Sequence, residues 1–279
     1  MVAFLLGQGG SYGLSGVFVQ LPHGKDQVGR LMIFNAIFAL VSLALIYFLI
    51  QNKPESIDTQ QQPKSKTVIE ELIILAKDFN FICLLLSTGL HMGVGNYFGI
   101  ILEILVKDSG LTAEDASYIG TITILSGITS CIICSLISSR TSKYRIFVII
   151  SIFGTTVLYL FYFYAIRSKN FELAAFASFV YGVFLLPGYS IPLELACETT
   201  YPVREILTSG LINCFAQIFS IIPTLISYWF NNSSWACIEI CIFFQLISLI
   251  SVFFTRENLK RKIAEEYVNV QADLVPAYT

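Results

Sequence analysis

Two carboxylates four residues apart, Glu194 and Glu198, follow directly on the apolar, proline-bounded run Pro187-Gly188-Tyr189-Ser190-Ile191-Pro192. Their spacing puts both on one helix face. Such a pair could titrate or hold a cation, or serve structurally against basic loop residues such as Arg140 or Arg204; the structural or gating role is the one favoured here. A second polar set, Ser209, Asn213 and Gln217, recurs every fourth residue and draws a stripe down one side of a helix. A third comprises His91, Asn96 and Glu103; the last two align, while His91 is turned away by about half a turn. These groups bind, orient and titrate. The chain has two histidines, His23 and His91, and no G-x-S-x-G, H-E-x-x-H or P-loop pattern, so it does not read as an enzyme.

The elements that carry these residues are long and apolar. Hydrophobic residues make up 55% of the 279 and charged ones 13%, against about 25% charged in soluble domains. Eight apolar stretches stand out, at 3–21, 31–50, 80–106, 117–138, 146–166, 171–196, 206–230 and 235–254. A bilayer core takes about 20 such residues per helix, and lipid offers the backbone no hydrogen bonds, so the stretches predict membrane-spanning helices. At membrane depth every polar side chain is costly, which makes the three sets above functional candidates. Pro187 and Pro192 each remove a backbone donor, so the sixth stretch should kink or unwind there. Gly89, Gly93, Gly95 and Gly99 make the third stretch thin, and at least two of them are expected at close helix contacts.

The net charge of −2 implies no nucleic-acid partner. With both termini inside, twelve Lys and Arg residues fall on inner segments and five on outer ones, which predicts cytoplasmic ends. The N-terminal stretch lacks a basic leader and is interrupted by glycines, so it reads as a span and not a signal peptide. The seven cysteines lie almost wholly within spans; Cys131 and Cys134, despite their C-x-x-C spacing, read as small packing residues, and no metal or cofactor is implied. Asn231-Asn232-Ser233-Ser234 holds overlapping sequons beside the membrane and reads as a turn. Residues 51–79 form the one long connection, its second half (67–77) with the apolar spacing of a helix lying on a membrane surface. The tail from Thr255 reads as a solvated cytoplasmic end.

Several blocks resemble a known family. They are Gly188-Tyr189, Glu194-Leu195-Ala196-Cys197-Glu198-Thr199-Thr200-Tyr201-Pro202, Thr208-Ser209-Gly210-Leu211-Ile212-Asn213 and Ala216-Gln217-Ile218-Phe219, with Ser139-Arg140-Thr141-Ser142-Lys143-Tyr144 and Gly89-Leu90 with Gly93 in support. Together they are similar to the feline leukaemia virus subgroup C receptor-related transporters of the major facilitator superfamily, over about residues 70–254. Ser139 stands where the family has Asp, Ile206 where it has Gly, and Asn96 where it has a substrate-contacting tyrosine, with Tyr97 one position on.

The resemblance implies an all-α membrane bundle built on a twelve-helix plan of two halves. Residues 1–50 are then two helices of an incomplete N-terminal half, 51–79 the central cytoplasmic loop, 80–254 a complete six-helix C-terminal half and 255–279 a cytoplasmic tail. Helices one to four of the plan are lacking, so the chain is either an incomplete gene product or one that needs a membrane-protein partner. The implied function is transport of a small organic solute by alternating access, with choline or ethanolamine-like amines first and haem or vitamin-like solutes as alternatives. Gln217, Asn213, Asn96, Tyr97 and His91 are the expected substrate-binding residues; Glu194, Glu198, Arg140, Pro187, Gly188 and Pro192 are the structural or gating ones. Other readings are a non-transporting protein that associates with a full-length relative, and a proton-coupled carrier using His91 or Glu103. The expected setting is the plasma membrane, with an organelle membrane the alternative.

Overall fold

A computed structural model describes residues 24–49, 67–230, 233–264 and 266–267. The expected first span at 3–21, His23, most of the long loop, the Asn231-Asn232 turn and the last residues of the tail lie outside them. The described residues are helical throughout: α1 (Gly24–Leu49), α2 (Val68–Lys77), α3 (Phe79–Ser109), α4 (Ala113–Thr141), α5 (Tyr144–Arg167), α6 (Phe171–Leu185), α7 (Pro187–Thr200), α8 (Glu205–Trp229) and α9 (Ser234–Phe253). Taking α6 and α7 as one interrupted span, six of these segments are long and apolar enough to cross a membrane.

The ends of the helices are set by local residues. Thr67 and Glu70 close a capping box that starts α2. The Asp78 carboxylate then accepts from the Asn80 and Phe81 N–H groups and starts α3 after a one-residue corner. Gly110, at φ 83°, ends α3 in the left-handed conformation, and a Thr112–Asp115 capping box starts α4 two residues later. These caps hold orphan N–H groups that water or lipid headgroups would otherwise have to satisfy.

Helix α3 is the axis of the bundle. Of its apolar window 72% is buried, against 28% in α8 and 33% in α9. It packs chiefly against α8 and α9, while α6 packs against α4 and α5. Small residues allow these approaches: a Cβ on Gly93 would lie 2.9 Å from the Ala216 carbonyl of α8, and one on Gly127 would lie 2.8 Å from the Gly182 carbonyl of α6. Gly182 in turn has no room for a Cβ beside the Thr123 carbonyl and Ser126 hydroxyl of α4. Of the third-span glycines, Gly93 and Gly95 meet the expectation of close contacts; a Cβ on Gly89 would find ordinary contact with Phe215.

The expected interruption falls at Leu186. Pro187 opens α7 and Pro192 lies inside it. Because Pro187 has no N–H, the Val183 carbonyl loses its helical donor, and Ser130 of α4 supplies one at 2.7 Å. The Tyr189 N–H turns to Leu186 O at 3.0 Å, three residues back, which frees the Leu185 carbonyl as well.

Among the described residues the long-range ion pairs gather at one end of the bundle, the charged end. Glu71 of α2 is 7% exposed in its side chain and accepts from Arg204 at 2.8 Å, pinning the surface helix to the α7–α8 turn. Ile69 and Ile73 on the opposite side of α2 stay exposed. The described part of the tail, largely exposed from Arg256 on, also makes contacts with the bundle. Thr255 is buried, Asn80 donates to Arg256 O at 3.0 Å, Arg145 donates to Phe253 O at 3.0 Å, Arg261 pairs with Glu205, and Lys262 Nζ reaches Ser142 Oγ at 2.6 Å. At the other end Arg167 stacks over Trp235, 4.9 Å from the ring centroid. Helix α1 leaves its apolar side chains from Met32 to Leu43 exposed.

These contacts give a direct test of the packing. Gly182→Ala should destabilise the detergent-solubilised protein by about 1–3 kcal/mol, because its methyl meets backbone. Gly210→Ala, with open space around it, should be neutral or stabilising by about 0.4–1 kcal/mol. Thermal unfolding followed by size exclusion separates the two.

Candidate functional site

A cavity of about 330 Å³ opens between α3, α4, the α6–α7 break and α8, within the roughly 300–1,000 Å³ of small-molecule sites. Helix α3 brings Asn96 and Phe98 to it, α4 brings Thr123, the break brings Tyr181 and Tyr189, and α8 brings Gln217. Among the described residues none that lines it is Asp, Glu, Lys or Arg. These residues offer aromatic rings, two amides and four hydroxyl-bearing side chains (Thr123, Tyr181, Tyr189 and Ser220), and no fixed charge.

The aromatic side is preorganised. Phe98 stands edge-on to Tyr159 and Tyr162 at 5.4 and 5.0 Å and tilts over Tyr181 at 5.2 Å. Tyr181 donates to the Tyr159 hydroxyl at 2.8 Å, and the Tyr162 and Ser178 hydroxyls lie 3.1 Å apart. All three tyrosines are within a percent of full burial. Such edge-to-face contacts and satisfied hydroxyls fix the ring that faces the cavity. Tyr189 is seated in the same way: Gly95 leaves the space its phenol occupies, and its hydroxyl reaches Met92 O at 3.4 Å.

Of the residues expected to bind substrate, Asn96 and Gln217 line this cavity. Tyr97 does not. One residue on from Asn96 it is rotated by about 100°, fully buried, and enclosed beside Ser227 of α8 and Cys237 of α9. Asn213 is exposed on α8 one turn before Gln217, its amide returned to Ser209 O at 2.9 Å. His91 is sealed inside the bundle. Glu103 points outward with its side chain 65% exposed, 3.9 Å from Lys107.

The gating candidates sit apart, at the charged end. Glu194 bonds the Tyr144 hydroxyl, and Glu198 accepts from the Lys262 N–H at 3.2 Å. Neither is paired with Arg140 or Arg204, the partners expected from the sequence: Arg204 is taken by Glu71, 133 positions away, and Arg140 is exposed at the end of α4. Pro187 and Gly188 shape the break beneath the cavity. Cys131, read as a packing residue, lies 3.0 Å from the Ser190 hydroxyl just beyond it. Among the described residues no group of three or more His, Cys, Asp or Glu side chains could hold a metal ion.

The sequence left Phe98, Tyr181 and Tyr189 unassigned. Their signal was position: tyrosines at mid-span lie away from the interfacial belt where such rings are ordinarily found.

Comparison with known proteins meets this geometry at the family level. The family model described as Major Facilitator Superfamily matches residues 1–224. The chain belongs to that superfamily. The chain is 26% identical over 259 residues to the choline/ethanolamine transporter flvcr2a of Danio rerio, covering 89% of the chain and 55% of the relative. It is 23% identical over 261 residues to the human choline/ethanolamine transporter FLVCR2, covering 85% and 49%. An uncharacterized protein of Archaeoglobus fulgidus matches at 24% over 205 residues, 74% of this chain and 89% of its own length. The chain spans about half the length of the choline/ethanolamine transporters it matches. The resemblance read from residues 188–219 is thus borne out, and the molecule is an integral multi-pass membrane protein of a transporter superfamily, not an enzyme.

The aromatic wall makes its own prediction. Tyr159→Phe leaves the Tyr181 hydroxyl without its acceptor and should cost about 1–3 kcal/mol. The double variant with Tyr181→Phe should cost less than the sum of the two single changes, a coupling of about 0.5–3 kcal/mol. Thermal midpoints of the four proteins in one detergent measure it.

Proposed function

We propose that this chain forms the substrate-binding part of a facilitator that carries small organic amines of the choline or ethanolamine kind. The observation that carries the reading is the cavity wall: the aromatic rings of Phe98, Tyr181 and Tyr189 and the amides of Asn96 and Gln217 border one cavity, with no charged group among the described lining residues. A quaternary ammonium gains up to about 2 kcal/mol over such a face when water is excluded. An amide orients its hydroxyl end without drawing a proton from it. The transporters matched by this chain carry choline or ethanolamine in their names. In this reading α3–α9 are one six-helix half, residues 3–21 and α1 belong to the other, the charged end and both termini are cytoplasmic, and the plasma membrane is the site. Rocking of one half against the other around the cavity gives alternating access.

A second reading is association with another membrane protein. Asn213 and Gln217 are exposed on α8 within a span, and amides facing lipid are costly, so this face belongs against water or further helices.

Uptake of labelled choline by cells expressing the chain tests the first reading. Gln217→Ala should raise KM about three- to tenfold, the value of one hydrogen bond. Equal signals from the parent, the variant and empty cells would overturn it. Co-purification with a twelve-span relative, with no uptake by the chain alone, would favour the second.

A further inference from the structure

His91 lies outside the cavity and is fully buried, yet each of its ring nitrogens has a partner on a different helix. Nδ1 is 2.8 Å from Gln245 Nε2 of α9, and Nε2 is 3.3 Å from Leu185 O at the end of α6. The Leu185 carbonyl can only accept, so in this contact Nε2 bears the hydrogen and Nδ1 is the acceptor. The Gln245 NH2 group lies toward Nδ1 and toward the Thr155 hydroxyl, 2.9 Å away, which matches that tautomer.

The acceptor is the carbonyl that the helix break set free. Tyr189, which in a continuous helix would donate to Leu185, donates to Leu186 instead. Gly188 makes the approach possible, since a Cβ there would collide with the imidazole Nε2. The Tyr189 ring then closes edge-on against His91 at 5.6 Å. Leu185, Leu186 and Tyr189 all line the cavity.

We infer that His91 is a positioning residue that holds the α6–α7 break open, and through it the cavity wall formed by Leu185, Leu186 and Tyr189. Without its donor the Leu185 carbonyl stands unsatisfied in an apolar interior, and because Pro187 bars a continuous helix the segment opens more readily. Opening loosens the hold on Tyr189 and Leu186 in the cavity wall. Gln245 acts one step further out, by holding His91 in the tautomer that can donate. The link to transport rests on the cavity being the substrate site; the link to the break does not.

The experiment separates the two. Hydrogen–deuterium exchange of the full chain in lipid nanodiscs is read on peptides covering residues 182–192. His91→Phe, which fills the space without a donor, should exchange about tenfold faster there, the equivalent of one hydrogen bond. His91→Gln, whose amide keeps a donor near the Nε2 position, should stay close to the parent. Gln245→Leu, which frees the tautomer, should fall between them. An unchanged rate in His91→Phe, or a rate in His91→Gln as fast as in His91→Phe, overturns the proposal. Should His91→Phe not fold, an unchanged rate in Gln245→Leu overturns it in its place. Labelled choline supplies the second readout: KM should rise in His91→Phe and return in His91→Gln. If the parent carries no choline, the substrate reading fails while the exchange data still decide the role of His91.

Discussion

Every backbone carbonyl at membrane depth must find its donor within the protein, and much of this bundle's arrangement follows from a segment where the helix itself cannot provide it. Between Val183 and Tyr189 the main chain withdraws two donors, one because Pro187 has no N–H and one because Tyr189 turns to a nearer acceptor. The replacements come from two different neighbours, Ser130 on α4 and His91 on α3. Each must come close to reach a carbonyl, and the glycines at 127, 182 and 188 are where the surrounding helices give way to let this happen. The cavity opens against the same segment. Break, close packing and cavity are thus parts of one arrangement, with the unsatisfied carbonyl as its origin.

The fold was legible in the sequence because its cause is local and repeated. Span length and apolarity act on each helix separately, and the pair Pro187 and Pro192 marked the interruption to within a residue. The facilitator family was legible from the block around Glu194 and Gln217. What escaped were choices made between distant residues. Arg204 had several carboxylates within reach of a plausible argument, and only three-dimensional placement selects Glu71. Nothing in 253–262 announces its partners Asn80, Arg145 and Ser142.

The site was half legible for a related reason. Asn96 and Gln217 announce themselves as amides in apolar helices, and both reach the cavity. Tyr97 is adjacent to Asn96 in sequence, but one helical step turns it to face α8 and α9. His91 was singled out as costly at that depth, correctly, but its cost is met by Gln245 and Leu185 and not by a solute. A polar residue inside a span must be satisfied by something; the sequence shows the demand and only the structure shows who meets it.

The uncharged described lining of the cavity has an electrical consequence. In the proposed transport cycle this wall carries no gating charge of its own as it changes sides. At this wall, whatever charge crosses belongs to the solute. For a monovalent cation a potential of 100 mV is worth about 2.3 kcal/mol, roughly a fiftyfold bias in its distribution. For a neutral solute this wall would be blind to voltage. A site built from rings and amides leaves the driving force to be chosen by what it binds.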